Sequence, residues 1–188
     1  MTMWCAFTGP PMVRKPVAAG PLYPADPATL KTTVDKFFEE AVSGQQPQGR
    51  VYAIIAPHGG YGLCGKVDAA AYACLQPRQY DRVIILAPSH FASFEGCSIP
   101  MVKAFETPLG AVPLDAAAIR TLSFSPLVTL RSLNYGGEAS ARAKFQEYEY
   151  SIEVQLPFLQ ERLGQFMLVP ILVGTIQDAR TQFRKNEI

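Results

Sequence analysis

An apolar run ending in a proline and then a histidine occurs twice in this chain, and no other feature constrains the fold as much. The first copy is Ala53-Ile54-Ile55-Ala56-Pro57-His58-Gly59-Gly60-Tyr61, and the second is Val83-Ile84-Ile85-Leu86-Ala87-Pro88-Ser89-His90. A strand buried on both faces reads this way when it leaves a parallel sheet and presents a side chain at its carboxyl end. That edge is where α/β sheets bind ligands. His58 and His90 are also the only two histidines in the sequence. One such histidine could do no more than cap a turn; a doubled phrase that uses both predicts a shared site.

The remaining segments alternate in the way an α/β chain requires. Residues 1 to 20 carry Gly9, Pro10, Pro11, Pro16 and Gly20, which break any period and predict an irregular arm continued by the turn Pro21 to Pro27. A helix is predicted from Pro27, with Asp26 as N-cap and proline at the first helical position. Leu30, Val34, Phe37, Phe38 and Ala41 give it one apolar stripe. After a polar loop from Ser43 to Gly49 come a strand over Arg50 to Ala56, an alanine-rich helix over Gly62 to Leu75 and a strand over Arg82 to Ala87. Together these form a βαβ unit with a right-handed crossover. Residues 91 to 113 read as an antiparallel excursion or hairpin turning at Thr107-Pro108-Leu109-Gly110. Asp115 caps a short helix to Leu122, Leu127 to Leu130 is a short strand, and Leu133 to Tyr148 is a polar loop. Ser151 is expected to cap a helix through Leu163, with Ile152, Leu156, Leu159 and Leu163 inward and Pro157 kinking it or removing one backbone bond. A buried strand follows over Phe166 to Val173, and a polar helix starts at Thr175. The expected architecture is α/β: a mostly parallel or mixed central sheet with helices on both faces, in one domain over 1–188.

Composition narrows the function classes. A formal charge of +1 gives no field to steer nucleic acid or an anionic membrane. No apolar run approaches the roughly 20 residues of a membrane span. Cys5, Cys64, Cys74 and Cys97 make no CxxC pair, so reduced thiols in a cytoplasmic protein are expected.

Two imidazoles converging at one sheet edge can hold a borderline metal such as Fe(II), Zn(II) or Cu(II). A third ligand is needed, and Glu147 and Glu149 are nearest in type, Glu149 standing close to a helix start that favours an anion. Tyr61 and Tyr150 are candidate pocket donors, and Ser89 adjoins His90 but lacks the G-x-S-x-G elbow of a serine hydrolase. Gly60, Gly65 and Lys66 match the outline of a phosphate-binding loop. Val67, however, stands where Ser or Thr would reach Mg²⁺, and no nucleotide is expected. Cys64 reads as a small apolar residue on its helix.

At these residues the chain resembles the Memo-like family, also called AmmeMemoRadiSam system protein B. The likeness is carried by Ala18-Ala19-Gly20-Pro21-Leu22-Tyr23-Pro24 and by Ile54 to Tyr61 with Cys64-Gly65. Further phrases are Leu86-Ala87-Pro88-Ser89-His90, Thr107-Pro108-Leu109-Gly110, Ser151 to Leu159 and Val169 to Gly174, all in order. The resemblance implies an α/β fold similar to class III extradiol dioxygenases, whose pocket binds Fe(II) and opens catechol rings. It further implies iron or copper binding, His58 and His90 as the metal-binding histidines, and either a redox role or a peptide-partner role. The family usually has Glu-His-Ser-Ile-Glu where this chain has Glu149-Tyr150-Ser151-Ile152-Glu153, so a pocket histidine is replaced by Tyr150. A phenol is a poorer base than an imidazole near neutral pH. The chain also reads as lacking the family's C-terminal third. Three functions follow as expectations: a metal-binding protein, a ring-cleaving dioxygenase, or a non-catalytic module for a peptide or small ligand.

Overall fold

The computed structural model describes residues 13–41, 47–77, 79–131 and 148–174. In chain order the elements are β1 (Val13–Arg14), α1 (Pro27–Glu40), α2 (Tyr61–Ala73), β2 (Arg82–Pro88), β3 (Cys97–Pro100), β4 (Ala104–Thr107) and β5 (Gly110–Pro113). They continue with α3 (Ala116–Leu122), β6 (Val128–Arg131), a 3₁₀ turn (Glu153–Gln155), α4 (Leu156–Leu163) and β7 (Met167–Val173). The α/β expectation holds. The loop expected over 133 to 148, apart from its last residue, lies outside the described residues, as does the helix expected from Thr175.

The main sheet is mixed, in the order β2-β7-β3-β6. Its axis is β7, which runs parallel to β2 over seven paired positions, Arg82 opposite Met167 through Pro88 opposite Val173. On its other side β3 is antiparallel to β7 and parallel to β6. Leu168 to Leu172 are all buried, as a strand with neighbours on both sides requires. Pro170 lies beyond the last β3 pair, so the ladder to β3 loses nothing by its missing N–H. A second sheet, β1-β4-β5, contains the expected hairpin between β4 and β5. Part of the supposedly irregular arm also belongs to it, since Val13 and Arg14 pair in parallel with Ala104 and Phe105.

One predicted strand does not form. Residues 51–57 join no ladder, and among the described residues the single ladder that β2 makes is to β7. Tyr52 is 85% exposed and Ile55 99% exposed. The segment packs Val51, Ile54 and Ala56 against the core, and hydrogen bonds hold its ends: Tyr80 Oη donates to the Val51 carbonyl at 2.6 Å and Gln155 Nε2 to the Pro57 carbonyl at 2.7 Å. An apolar run predicts burial or extension, whereas pairing needs a neighbouring strand within about 4.8 Å. The βαβ unit and its crossover are therefore not realised; α2 and β2 form without the first strand.

The helices follow the sequence more closely. Asp26 caps α1 by accepting from Thr29 N at 2.8 Å, and Asp115 caps α3 by accepting from Ala118 N at 2.8 Å. α4 departs from expectation in two ways. Ser151 does not cap it; the serine hydroxyl donates instead to the Pro88 carbonyl at 2.9 Å. The helix proper starts at Leu156, after the 3₁₀ turn, so Pro157 falls in its first turn, where proline is tolerated.

α1, α2 and α4 meet around Phe158, which is fully buried among Phe37, Phe38, Tyr61 and Tyr72 with ring centroids 4.8 to 6.4 Å apart. Gly65 permits this approach, since a Cβ there would stand 2.3 Å from the Phe37 ring. The phosphate-loop outline dissolves in the same place. Gly60 precedes the helix, Gly65 is a packing residue, and Lys66 pairs with Glu40 at 2.8 Å. Among the described residues no helix is long and apolar enough to cross a membrane. Cys64, Cys74 and Cys97 are free thiols, and Cys5 lies outside the described residues.

Asp68 on α2 is buried, and its Oδ1 has no hydrogen-bond partner among the described residues. Burial pushes its carboxyl from 3.8 up to about 7. The folded state therefore holds this proton more tightly than the unfolded chain does. The contribution is complete below pH 3.8 and is lost as pH rises through about 7, with an upper limit of about 4 kcal/mol. Asp68→Asn is expected to flatten that part of the pH dependence, read as the difference in urea midpoint between about pH 4.5 and 8. An unchanged slope in the variant would show that the carboxyl is solvated.

Candidate functional site

The two histidines arrive by different routes. Pro57, anchored through its carbonyl to Gln155, sets the position of His58, and Gly59-Gly60 carry the chain into α2. A Cβ at Gly59 would stand 2.8 Å from Cys64 Sγ, so any larger residue there would make the thiol turn away. His90 follows β2 through a short turn. Ser89 N extends the ladder by donating to the Val173 carbonyl at 3.2 Å, and Ser89 Oγ closes the turn on the Ala92 carbonyl at 2.8 Å. The two rings come within 5.1 Å, centroid to centroid, with their planes inclined at 46°.

Glu149 and Tyr150 complete the cluster. The Glu149 carboxylate lies against His90: Oε2 accepts from His90 N at 2.6 Å and Oε1 faces His90 Nδ1 at 2.9 Å. Oε1 also accepts from the backbone of Tyr150 and Ser151, each at 3.0 Å. The Tyr150 ring stacks on His90 at 4.8 Å and 9°, and Phe91 meets it edge-on at 6.1 Å. Burial alone would push the Glu149 carboxyl up, but the bonds from His90 and Ser151 outweigh it and hold the group below its ordinary value. Burial also lowers the His58 pKa, helped by His90 and opposed by Glu149, so near neutral pH its imidazole is uncharged and keeps a lone pair.

A cleft of about 430 Å³ runs from His58 between residues 52–56 and the edge of β2 that faces away from β7, floored by Tyr72, Leu75 and Leu159. Its walls are mostly apolar, with Arg82 and Tyr80 as well as Ser151 and Gln155 adding polar groups.

The structure thus brings His58, His90, Glu149 and Tyr150 together. Ser89 is close in sequence, but its hydroxyl serves the turn. Tyr61 is buried beneath, donating to the Val154 carbonyl at 2.9 Å and packed on Tyr23 at 5.4 Å. Glu147 lies outside the described residues. Glu149 is engaged by His90 and the backbone, and among the described residues no three His, Cys, Asp or Glu stand together as a metal-ligand group.

Two features carried no signal that single-sequence reasoning used. Gln155 bridges the site, giving one amide hydrogen bond to Pro57 and accepting one from the Tyr72 hydroxyl. Behind the site, the fully buried Glu153 accepts from Arg14 Nη1 at 2.7 Å, Tyr23 Oη at 2.7 Å, Ala18 N at 2.8 Å and Val17 N at 3.0 Å. Arg14 also donates to the Glu149 carbonyl and covers the Phe105 ring at 4.8 Å. Glu153 stands inside the Ser151 to Leu159 phrase; Arg14, on an arm read as irregular, offered nothing.

An α/β chain with paired histidines beyond a strand's carboxyl end is the class of protein that fold and site define. Comparison with known proteins places it further: the chain belongs to the Memo-like protein family, whose profile matches residues 14–188. It is 32% identical over 171 residues to the protein memo-1 homolog of Caenorhabditis elegans, covering 89% of this chain and 45% of that one. It is 30% identical to protein MEMO1 of Xenopus tropicalis, covering 91% and 54%, and 29% identical to protein MEMO1 of Homo sapiens, covering 87% and 52%. The chain spans about half the length of the curated relatives it matches.

Proposed function

We propose that this Memo-like protein binds a transition-metal ion, iron or copper, through His58 and His90. The observation that carries the reading is the 5.1 Å approach of two imidazoles from separate stretches of chain. An ion ligated by a ring nitrogen at 2.0–2.1 Å lies about 3.2 Å from that ring's centroid, so two centroids up to roughly 6.4 Å apart can share one ion. The donor set fits on chemistry as well, since neutral imidazole suits iron, copper and zinc. Such an ion would supply Lewis-acid or one-electron chemistry. The chain's own contribution is to keep His58 uncharged, to fix the His90 ring between Glu149 and Tyr150, and to line the approach with mostly apolar side chains.

Loading with Fe(II) or Cu under anaerobic conditions, followed by dialysis and elemental analysis, tests this. The native chain is expected to retain about one ion and His58→Ala with His90→Ala essentially none. Equal metal in both would end the proposal. Ring-cleaving oxygenase activity is a narrower reading, checked by oxygen uptake over a panel of catechols. The cleft beside β2 favours a second reading, a non-catalytic module for an extended peptide or small ligand. Binding that survives loss of both histidines would support that alternative instead.

A further inference from the structure

We propose that Glu149 is the positioning residue of this site: it holds the neutral His90 imidazole in its Nδ1–H tautomer and leaves Nε2 as the ring's only free lone pair. The argument begins with the carboxylate. Three backbone N–H groups, of His90, Tyr150 and Ser151, donate to it at 2.6 to 3.0 Å. Backbone amides cannot turn away, so the group they surround is an acceptor on both oxygens. The remaining partner, His90 Nδ1 at 2.9 Å from Oε1, must then bring the hydrogen. A neutral imidazole carries one ring proton, and placing it at Nδ1 strips it from Nε2. No hydrogen bond among the described residues engages Nε2.

The same short segment fixes the ring's orientation. Glu149 holds its Nδ1 edge while the next residue, Tyr150, covers one face at 4.8 Å and 9°. Arg14 donates to the Glu149 carbonyl, so the buried Arg14–Glu153 pair keeps that backbone in place. Glu149 therefore acts on whatever binds through its effect on His90, as carboxylates behind metal-ligating histidines do. This gives the acidic residue a different part from that of a third ligand. The consequence for an ion rests on the metal reading above, whereas the tautomer does not.

The test reads the tautomer in the metal-free, ¹⁵N-labelled full chain by long-range proton–nitrogen correlation of the imidazoles at about pH 8.5, above the ordinary imidazole pKa. With two histidines in the chain, His58→Gln assigns the spectrum. The expected result is a protonated Nδ1 and a bare Nε2 on His90. In Glu149→Gln the carboxamide cannot accept on both sides, so the proton should shift wholly or partly to Nε2, and affinity for Cu or Fe(II) should weaken about 10- to 100-fold. A His90 protonated at Nε2 in the native chain overturns the proposal even if the glutamine variant does not fold. So does an unchanged Nδ1–H ring in a folded variant. If the native chain shows the expected tautomer yet retains no metal, the role of Glu149 stands and the metal reading falls.

Discussion

Glu153→Ala is expected to destabilise the chain by about 3–5 kcal/mol, because it removes the carboxylate counter-charge from a buried guanidinium. Arg14 is 1% exposed and Glu153 fully buried, so water cannot take over the lost interaction. The carboxylate also satisfies two backbone donors and the Tyr23 hydroxyl, and those groups would be left unpaired in an apolar setting. Burial and the neighbouring Glu153 charge push the Tyr23 phenol up, so it stays a donor at any working pH. Removing both charges is a different experiment. Arg14→Met with Glu153→Leu strands no ion and should recover a large part of the loss. Urea unfolding followed by circular dichroism measures both variants. A loss below about 1 kcal/mol for Glu153→Ala would mean that the pair is solvated in the folded protein. Because Arg14 also holds the Glu149 carbonyl, the destabilised variant should show an altered His90 environment as well.

Phe158→Ala should have an effect of similar size for an unrelated reason. The ring is fully buried and touches aromatic side chains of α1 and α2. Truncation removes its transfer free energy and leaves a cavity whose walls belong to three helices, for a cost of about 3–5 kcal/mol. For a chain of this size that corresponds to a fall in Tm of roughly 6–20 °C. Glu153→Ala disturbs a polar hub beside the candidate site, while Phe158→Ala loosens the helical layer. The histidine spectra should therefore change in the first variant and stay close to native in the second. A Phe158→Ala chain that melts within about 3 °C of the native protein would show that the helices close over the gap.

Local chemistry was legible wherever it depended on neighbours in sequence. Asp26 and Asp115 cap their helices because the acceptor and the amide three residues on are fixed by the chain itself. The apolar stripe of α1 and the run of β7 follow from periodicity and composition. Residues 51–57 misled because the same apolar run suits a paired strand and an unpaired extended segment, and only a neighbour at ladder distance separates them. Ser151 misled likewise: its hydroxyl had a choice between the start of a helix and the Pro88 carbonyl, which lies far away in sequence.

The residues alone determined that two imidazoles end two apolar runs, that the chain is α/β, and which family phrases it carries. What those imidazoles and the nearby carboxylate do to one another was decided in three dimensions. The sequence expectation had the rings meet as products of adjacent paired strands; they meet although the first strand is missing, because Gln155 and the α2 start hold His58 while β7 and Glu149 hold His90. Glu149, a plausible ligand by type, is engaged by backbone donors and His90 Nδ1. A residue's type limits the bonds it can make, but which bonds it does make depends on groups brought near by folding from remote parts of the chain.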